Sequence, residues 1–283
     1  MPPENQIVKA TFNITSSNEV KQPTHLIINA GEQGISFIEW DQDTNTFISV
    51  IVFHFAKQLT INEIAEDIEN ILKSETLLQK VFAKTEIIWC FNESILVPNE
   101  YFNKSIRKET LDVVFGGIKQ SSIKDELVLK YHLHNVYSIN ADIENKVTKH
   151  FSNSIQTHQS SLLIDIEPNE RDLLYCHFYS DSMTIVLRKQ GQLQVIQNFD
   201  FNTPVDVVYQ ILNVCRSFEV EAAAIVLTVS GMIDADSNLF TELYKYFASI
   251  KFYTLPSNHN YGAEIKEQPA HYFSHLFALA SCV

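Results

Sequence analysis

A chain of 283 residues, 45% hydrophobic and 19% charged, has the balance of a folded protein of one large or two average domains, which excludes disordered, collagen-like and coiled-coil classes. Its 34 acidic residues against 21 basic ones leave a net charge of −13, which repels a phosphate backbone; no basic stripe offsets this, so no nucleic-acid partner is expected. Seven glycines are about a third of the usual ~7% frequency, few for a protein that wraps nucleotide phosphates on backbone amides.

Residues 1–23 read as an N-terminal extension, and its start, Met1-Pro2-Pro3-Glu4-Asn5, lacks the basic-then-apolar layout of a signal peptide. Three strands are predicted next, at 25–30, 35–40 and 47–55. Thr60-Ile61-Asn62-Glu63 has capping-box spacing, and behind it Ile64, Ile68, Ile71 and Leu72 form one apolar helix face. Glu63, Glu66, Asp67 and Glu69 read as the solvated side of that helix. From 85 to about 134 the pattern predicts a strand pair (87–91 and 95–98), a helix near 99–115 closed by Gly116-Gly117, a polar loop, and a strand at 127–132. A strand at 136–139, a helix at 143–151 and a strand at 154–157 follow.

The pattern then restarts. Strands at 174–179, 183–188 and 193–201 lead into Thr203-Pro204, with proline at a first helical position and Val207, Val208, Ile211 and Leu212 as the apolar face. A buried parallel strand is predicted at 224–231, a helix at 239–247, a strand at 250–255 and a last helix at 270–280. Phe53-His54-Phe55 and Phe199-Asp200-Phe201 match at an offset of 146 residues, whereas Lys149-His150-Phe151 and Lys245-Tyr246-Phe247 match at 96. The fall places about fifty extra residues inside the first half. Each half is then β-β-β-α-β-α-β, with crossovers that make the later strands parallel and put helices on both faces. The halves span 24–168, with an insert subdomain at about 85–134, and 169–283.

A tandem α/β pair of this kind resembles the actin-like ATPase superfamily, a duplicated ribonuclease-H-like fold. The insert is placed as in the branch containing the pilus-assembly protein PilM and the cell-division protein FtsA, where a strand hairpin ending in a Leu-Pro-like turn precedes a helix and strand. Ile95-Leu96-Val97-Pro98-Asn99-Glu100-Tyr101-Phe102 fits that pattern. The whole is also similar to a domain-of-unknown-function family of bacterial actin-like proteins. The resemblance implies ATP with Mg held between the halves on two turns of type Asp-x-Gly-Thr/Ser and Asp-x-Gly-x-Thr, with a Gly-Gly turn passing the adenosine. The matching positions are Asn29, Gly31, Gln33 and Gly34 in the first turn, Asp181 and Ser182 in the second, and Ser230 and Gly231 in the third. The first turn keeps its glycines but has Asn29 where the metal-ordering acid belongs. The second, 177–182, has no glycine, and the third is reduced to Ser230-Gly231-Met232. A bulky turn cannot wrap a phosphate, and a missing carboxylate leaves Mg without an anchor.

The expectation is therefore a non-catalytic scaffold or partner-binding module with degenerate nucleotide turns and no cofactor. The alternative is an actin-like ATPase that binds ATP, or hydrolyses it slowly, in a cleft between the halves. A nuclease of the ribonuclease-H type would need carboxylates from the first strand, the first helix and the fourth strand to hold two metals, but the first strands carry Asn29 or His177 and the fourth strands Ser138 or Thr228. His132 and His134 could share a strand face, and His271 and His275 a helix face, but neither pair has the third ligand of a metal site. Phe240, Tyr244 and Phe247 form an aromatic stripe of helical spacing, read as core. Neither G-x-S-x-G nor G-x-x-x-x-G-K-S/T occurs. Trp89, Phe91 and Tyr101 in the insert are the residue types that dominate interfaces, so an unidentified protein partner is expected there, unless they pack the insert's own core. No apolar run approaches the ~20 residues of a membrane span. Cys90, Cys176, Cys215 and Cys282 lie far apart, as expected of reduced thiols and a cytoplasmic location.

Overall fold

The structure is a computed structural model that describes residues 8–16, 23–56, 58–167 and 170–283. They form two compact units, Met1–Ser161 with Asn258–Glu267, and Leu162–Ser257 with Gln268–Val283. The first unit begins with β1 (Phe12–Thr15), β2 (His25–Gly31), β3 (Gly34–Asp41), β4 (Thr46–His54), α1 (Ile61–Ser74) and β5 (Lys84–Trp89). It continues with β6 (Ser94–Pro98), α2 (Arg107–Phe115), β7 (Ser121–Val128), β8 (Leu133–Asn140), α3 (Ala141–His150) and β9 (Ile155–His158). A short helix, α4 (Gln159–Leu163), leads to β10 (Leu173–Phe178), β11 (Ser182–Lys189), β12 (Gln192–Asp200), α5 (Pro204–Ser217), β13 (Val226–Gly231), α6 (Asn238–Leu243) and β14 (Ser249–Phe252). The chain then contributes β15 (Asn260–Tyr261) and α7 (Ala263–Lys266) to the first unit and α8 (Ala270–Ala280) to the second.

The two main sheets repeat one topology. The first runs β1-β4-β3-β2-β5-β9, with β15 beside β4, and the second runs β12-β11-β10-β13-β14. In each, three antiparallel strands are continued by two parallel ones, β2–β5–β9 and β10–β13–β14. The helices after the third strands start as their sequences dictate. The Thr60 side chain accepts from the Glu63 N–H while the Glu63 carboxylate accepts from the Thr60 N–H, and Thr203 and Asp206 do the same ahead of Pro204. Ile64, Ile68, Ile71 and Leu72 are buried in the first core, and Val207, Val208 and Ile211 in the second. The meanders and caps are those the periodicity predicts, as are the parallel strands of the second sheet.

The insert boundary differs from the sequence reading. The strand at 87–91, expected in the insert, is β5 of the main sheet, pairing with β2 from His25↔Lys84 to Ala30↔Trp89. The strand at 136–139, expected as the fourth core strand, lies in β8, at the centre of a separate sheet ordered β6-β8-β7. Both runs are short and apolar, and the offset locates the insertion only between Phe55 and Lys149. Pairing decides it: β5 answers to β13 at an offset of 142 residues, so the extra segment follows the fourth strand. Residues 12–15 of the expected extension form a strand on β4, whereas 1–7 and 17–22 lie outside the described residues. No helix among the described residues is long and apolar enough to cross a membrane.

Candidate functional site

Of the three turns matched to the nucleotide pattern, one lies in the first unit and two lie in the second. In the first, Gly31 pairs with Gly34 across Glu32-Gln33, and the Gln33 carbonyl accepts from the Phe55 N–H at 3.0 Å. Asn29 is buried, and its amide donates to Ser36 Oγ at 3.2 Å. The glycines answer to neighbouring backbone: a Cβ on Gly31 would lie 2.3 Å from the Cys90 carbonyl oxygen, and one on Gly34 2.3 Å from that of Phe53. They are explained by close strand packing, without a ligand. Gly31→Ala is accordingly expected to cost about 1–3 kcal/mol, because the obstacle is backbone that a rotamer change cannot clear; thermal unfolding against wild type measures it.

In the second unit the turn Tyr179-Ser180-Asp181-Ser182 closes through the Tyr179 N–H on the Ser182 carbonyl at 2.8 Å, and the Asp181 carbonyl accepts from the Phe201 N–H at 2.9 Å. Ser182 is buried. Beside it, Gly231 has φ +83°, and a Cβ there would sit 2.1 Å from the Phe178 carbonyl oxygen and 2.8 Å from the His177 ring. Glycine at this position makes room for a side chain of the protein itself.

That side chain belongs to a buried polar chain on the ends of β10 and β13. Ser230 Oγ lies 2.7 Å from the Tyr175 hydroxyl and 2.8 Å from His177 Nδ1, and the Tyr175 hydroxyl lies 2.8 Å from Nδ1 of His275, carried in by α8. The two imidazoles stack at 3.8 Å and 11°. Three hydrogen bonds share two hydroxyl protons, so one imidazole, and only one, must donate from Nδ1. His275 Nε2 is buried without a partner, and leaving a lone pair there costs less than stranding an N–H. This sets the direction as His275 Nδ1–H to Tyr175, Tyr175 to Ser230, and Ser230 to His177. Complete burial pushes the His275 pKa down to about 3. The Ser230–His177 contact has the spacing of a nucleophile and its base, yet Ser230 has 0% exposure, and its hydrogen bonds tie the strand ends together.

Sequence alone does not group Tyr175, His177 and His275. Their signal is a period of two: Tyr175 and His177 on one buried strand, Thr228 and Ser230 on the next, all facing away from the Leu174, Cys176, Phe178, Leu227 and Val229 core. His271 does not join His275; it packs on Phe252 at 4.3 Å. His132 does not share a strand face with His134 either. It sits in a turn at φ +51°, while His134 stacks on Phe102 at 3.6 Å and contacts Asn99 Oδ1 at 3.0 Å. The corrected fourth strand carries Glu86 at the position equivalent to Thr228, but Glu86 is ion-paired with Lys84, and no group of three metal-ligating side chains occurs among the described residues.

The interface candidates separate. Trp89 and Phe91 are buried, with Trp89 Nε1 donating to Gln156 Oε1 at 3.1 Å, so both serve the first core and neither is open to a partner. Tyr101 is 73% exposed. Of the aromatic stripe, Phe247 is core, Phe240 packs against it partly buried, and Tyr244 is exposed.

Duplicated sheets of one topology, with an inserted subdomain and hairpin turns at the strand ends, define the actin-like ATPase fold. Solved structures agree. A Bacteroides thetaiotaomicron protein described as having an actin-like ATPase fold and unknown function superposes with a TM-score of 0.76 at 16% identity, covering 94% of this chain and 100% of that one. The PilM–PilN type IV pilus biogenesis complex gives 0.57 at 11% identity, over 91% of this chain and 97% of that one. Residues 11–250 match the model of the family described as "Protein of unknown function (DUF3822)", and the chain belongs to that family. No curated protein matches the chain.

Proposed function

We propose that this chain is a non-catalytic actin-like module that acts by binding a protein partner and takes no nucleotide cofactor. The observation that carries the reading is the use of the turn positions. Gly31, Gly34 and Gly231 are each required by a backbone oxygen 2.1–2.3 Å from where a Cβ would stand, and Ser230 is committed to Tyr175 and His177. Glycines that face neighbouring backbone need no phosphate to account for them, the Ser230 hydroxyl is already bonded inside the protein, and Asn29 supplies no negative charge for Mg. Partner binding is supported by the insert, where Tyr101, Val113 and Leu129 are 73%, 87% and 69% exposed. A further support is the solved relative that is itself a complex, PilM with PilN.

Thermal unfolding with Mg-ATP tests this. A ligand at ~100 times its dissociation constant adds about 2.7 kcal/mol, which moves a melting curve by several degrees. No shift is expected at millimolar Mg-ATP. A shift that Gln33→Ala abolishes would establish the ATP-binding alternative, since Gln33 lies on the turn surface and its replacement leaves the glycine contacts untouched.

A further inference from the structure

Corresponding edges of the two main sheets are finished differently. In the first, the outer side of β4 is covered by the chain itself: β1 pairs antiparallel from Phe12↔Val52 to Thr15↔Ser49, and β15 pairs with Thr46 and Phe47. The Thr11 N–H donates to the Val52 carbonyl at 2.7 Å and the Ser16 N–H to that of Ile48 at 3.2 Å. In the second sheet the equivalent strand, β12, ends the order, and no strand lies beside it among the described residues.

The backbone groups left facing outward can be assigned. The Phe201 N–H donates to the Asp181 carbonyl, so Phe201 points toward β11. Alternation then turns Phe199, Gln197 and Val195 inward, opposite Met183, Ile185 and Leu187, and leaves Ile196 and Asn198 with outward N–H and C=O groups. At the 146-residue offset these answer to Val50 and Val52, both of which pair with β1.

Other sheet ends are short or guarded: β9 and β14 have four residues and β6 five, while β7 carries Lys124, Asp125 and Glu126 at its centre. By contrast, β12 has nine residues, no proline, and one charge, Asp200, at its very end. It is also self-complementary. Antiparallel pairing about a two-fold axis at Ile196 sets Ile196 against its own copy, Val195 against Gln197 and Gln194 against Asn198. Apolar meets apolar at the axis, two amides can bond at the flank, and no like charges oppose. A bulge at Gln194 ends the regular stretch.

We propose that two copies of this chain associate through β12, in antiparallel register about Ile196, making the two five-stranded sheets continuous. The paired stretch is short and each chain carries a net charge of −13, so the dimer is weak and strengthens with added salt.

Sedimentation equilibrium of the full chain from 1 to 200 µM, at low and at high salt, reads this directly. Wild type is expected to be a monomer–dimer mixture that moves toward dimer as salt rises. Ile196→Lys sets two ammonium groups against each other on the axis. Ile196→Pro removes the central outward N–H, which β11 does not use, so the edge strand can keep its fold. Each is expected to weaken association at least tenfold with an unchanged circular dichroism spectrum. A wild-type chain that stays monomeric throughout overturns the proposal and leaves the edge to a strand from another protein. A dimer that both variants retain overturns it too, since the interface then lies elsewhere.

Discussion

Replacing Arg188 by methionine is expected to lower the free energy of unfolding by about 3–5 kcal/mol, among the largest effects of any single substitution in the second unit. Arg188 lies on β11 and is only 6% exposed. Its Nη1 donates to the carbonyls of Glu167 and Glu170 at 2.8 and 3.0 Å, and its Nη2 to those of Ile164 and Ile166 at 2.7 and 2.9 Å. One planar fork thus ties down the chain entering β10, with no carboxylate partner among the described residues. Methionine fills most of the volume but strands four acceptors. Lysine keeps the charge, but its single ammonium cannot span the four oxygens, so Arg188→Lys is expected to recover less than half of the loss. Urea unfolding of the three proteins checks both statements. Equal midpoints would show that these carbonyls find other donors.

The second large effect is a loss of stability on mild acidification. His158 is buried, accepts at Nδ1 from the Ser160 N–H at 3.1 Å and faces the Phe91 carbonyl with Nε2 at 3.0 Å. This fixes the neutral Nε2–H tautomer; a second proton on Nδ1 would point at an N–H. Burial lowers its pKa to about 3, partly opposed by the Phe91 carbonyl, and burial lowers that of His275 equally, where an added proton on Nε2 would find no acceptor. Both folded pKa values lie below the unfolded value of about 6.5, so the unfolded chain binds the extra protons. The stabilisation is complete above pH 6.5 and is lost as pH falls toward 3. By pH 5 each group contributes about 2 kcal/mol of destabilisation. His25, His54, His259 and His271 are shifted down by burial as well and act with the same sign. Unfolding free energies at pH 7, 6 and 5 should therefore fall steeply, before the carboxylates titrate. His275→Phe should flatten the slope by about one proton. A profile level from pH 7 to 5 would show that these imidazoles are hydrated or charge-paired in the folded protein.

Local order was legible in the residues. Thr60 with Glu63, Thr203 with Pro204, and apolar strands ending at Phe53-His54-Phe55 and Phe199-Asp200-Phe201 specify caps and meanders through nearest-neighbour physics, and the shared offset exposes the duplication. The repeat also showed that the first half is longer. Where the extra segment enters was decided only by pairing, because 87–91 and 136–139 are equally apolar and nothing within either run says which strand it will bond. The same division holds at the candidate site. Sequence places Gly31, Gly34, Ser230 and Gly231 at turns, but whether they serve a phosphate or their own neighbours depends on Cys90, Phe53, Phe178 and His177, brought within reach from other strands and from the strand end itself. His275 reaches Tyr175 across 100 positions of sequence, and Arg188 reaches carbonyls up to 24 positions away. Local pattern fixes what each segment becomes, because capping and alternation act between near neighbours. Tertiary structure fixes what the buried polar groups do, because their partners are chosen by the fold.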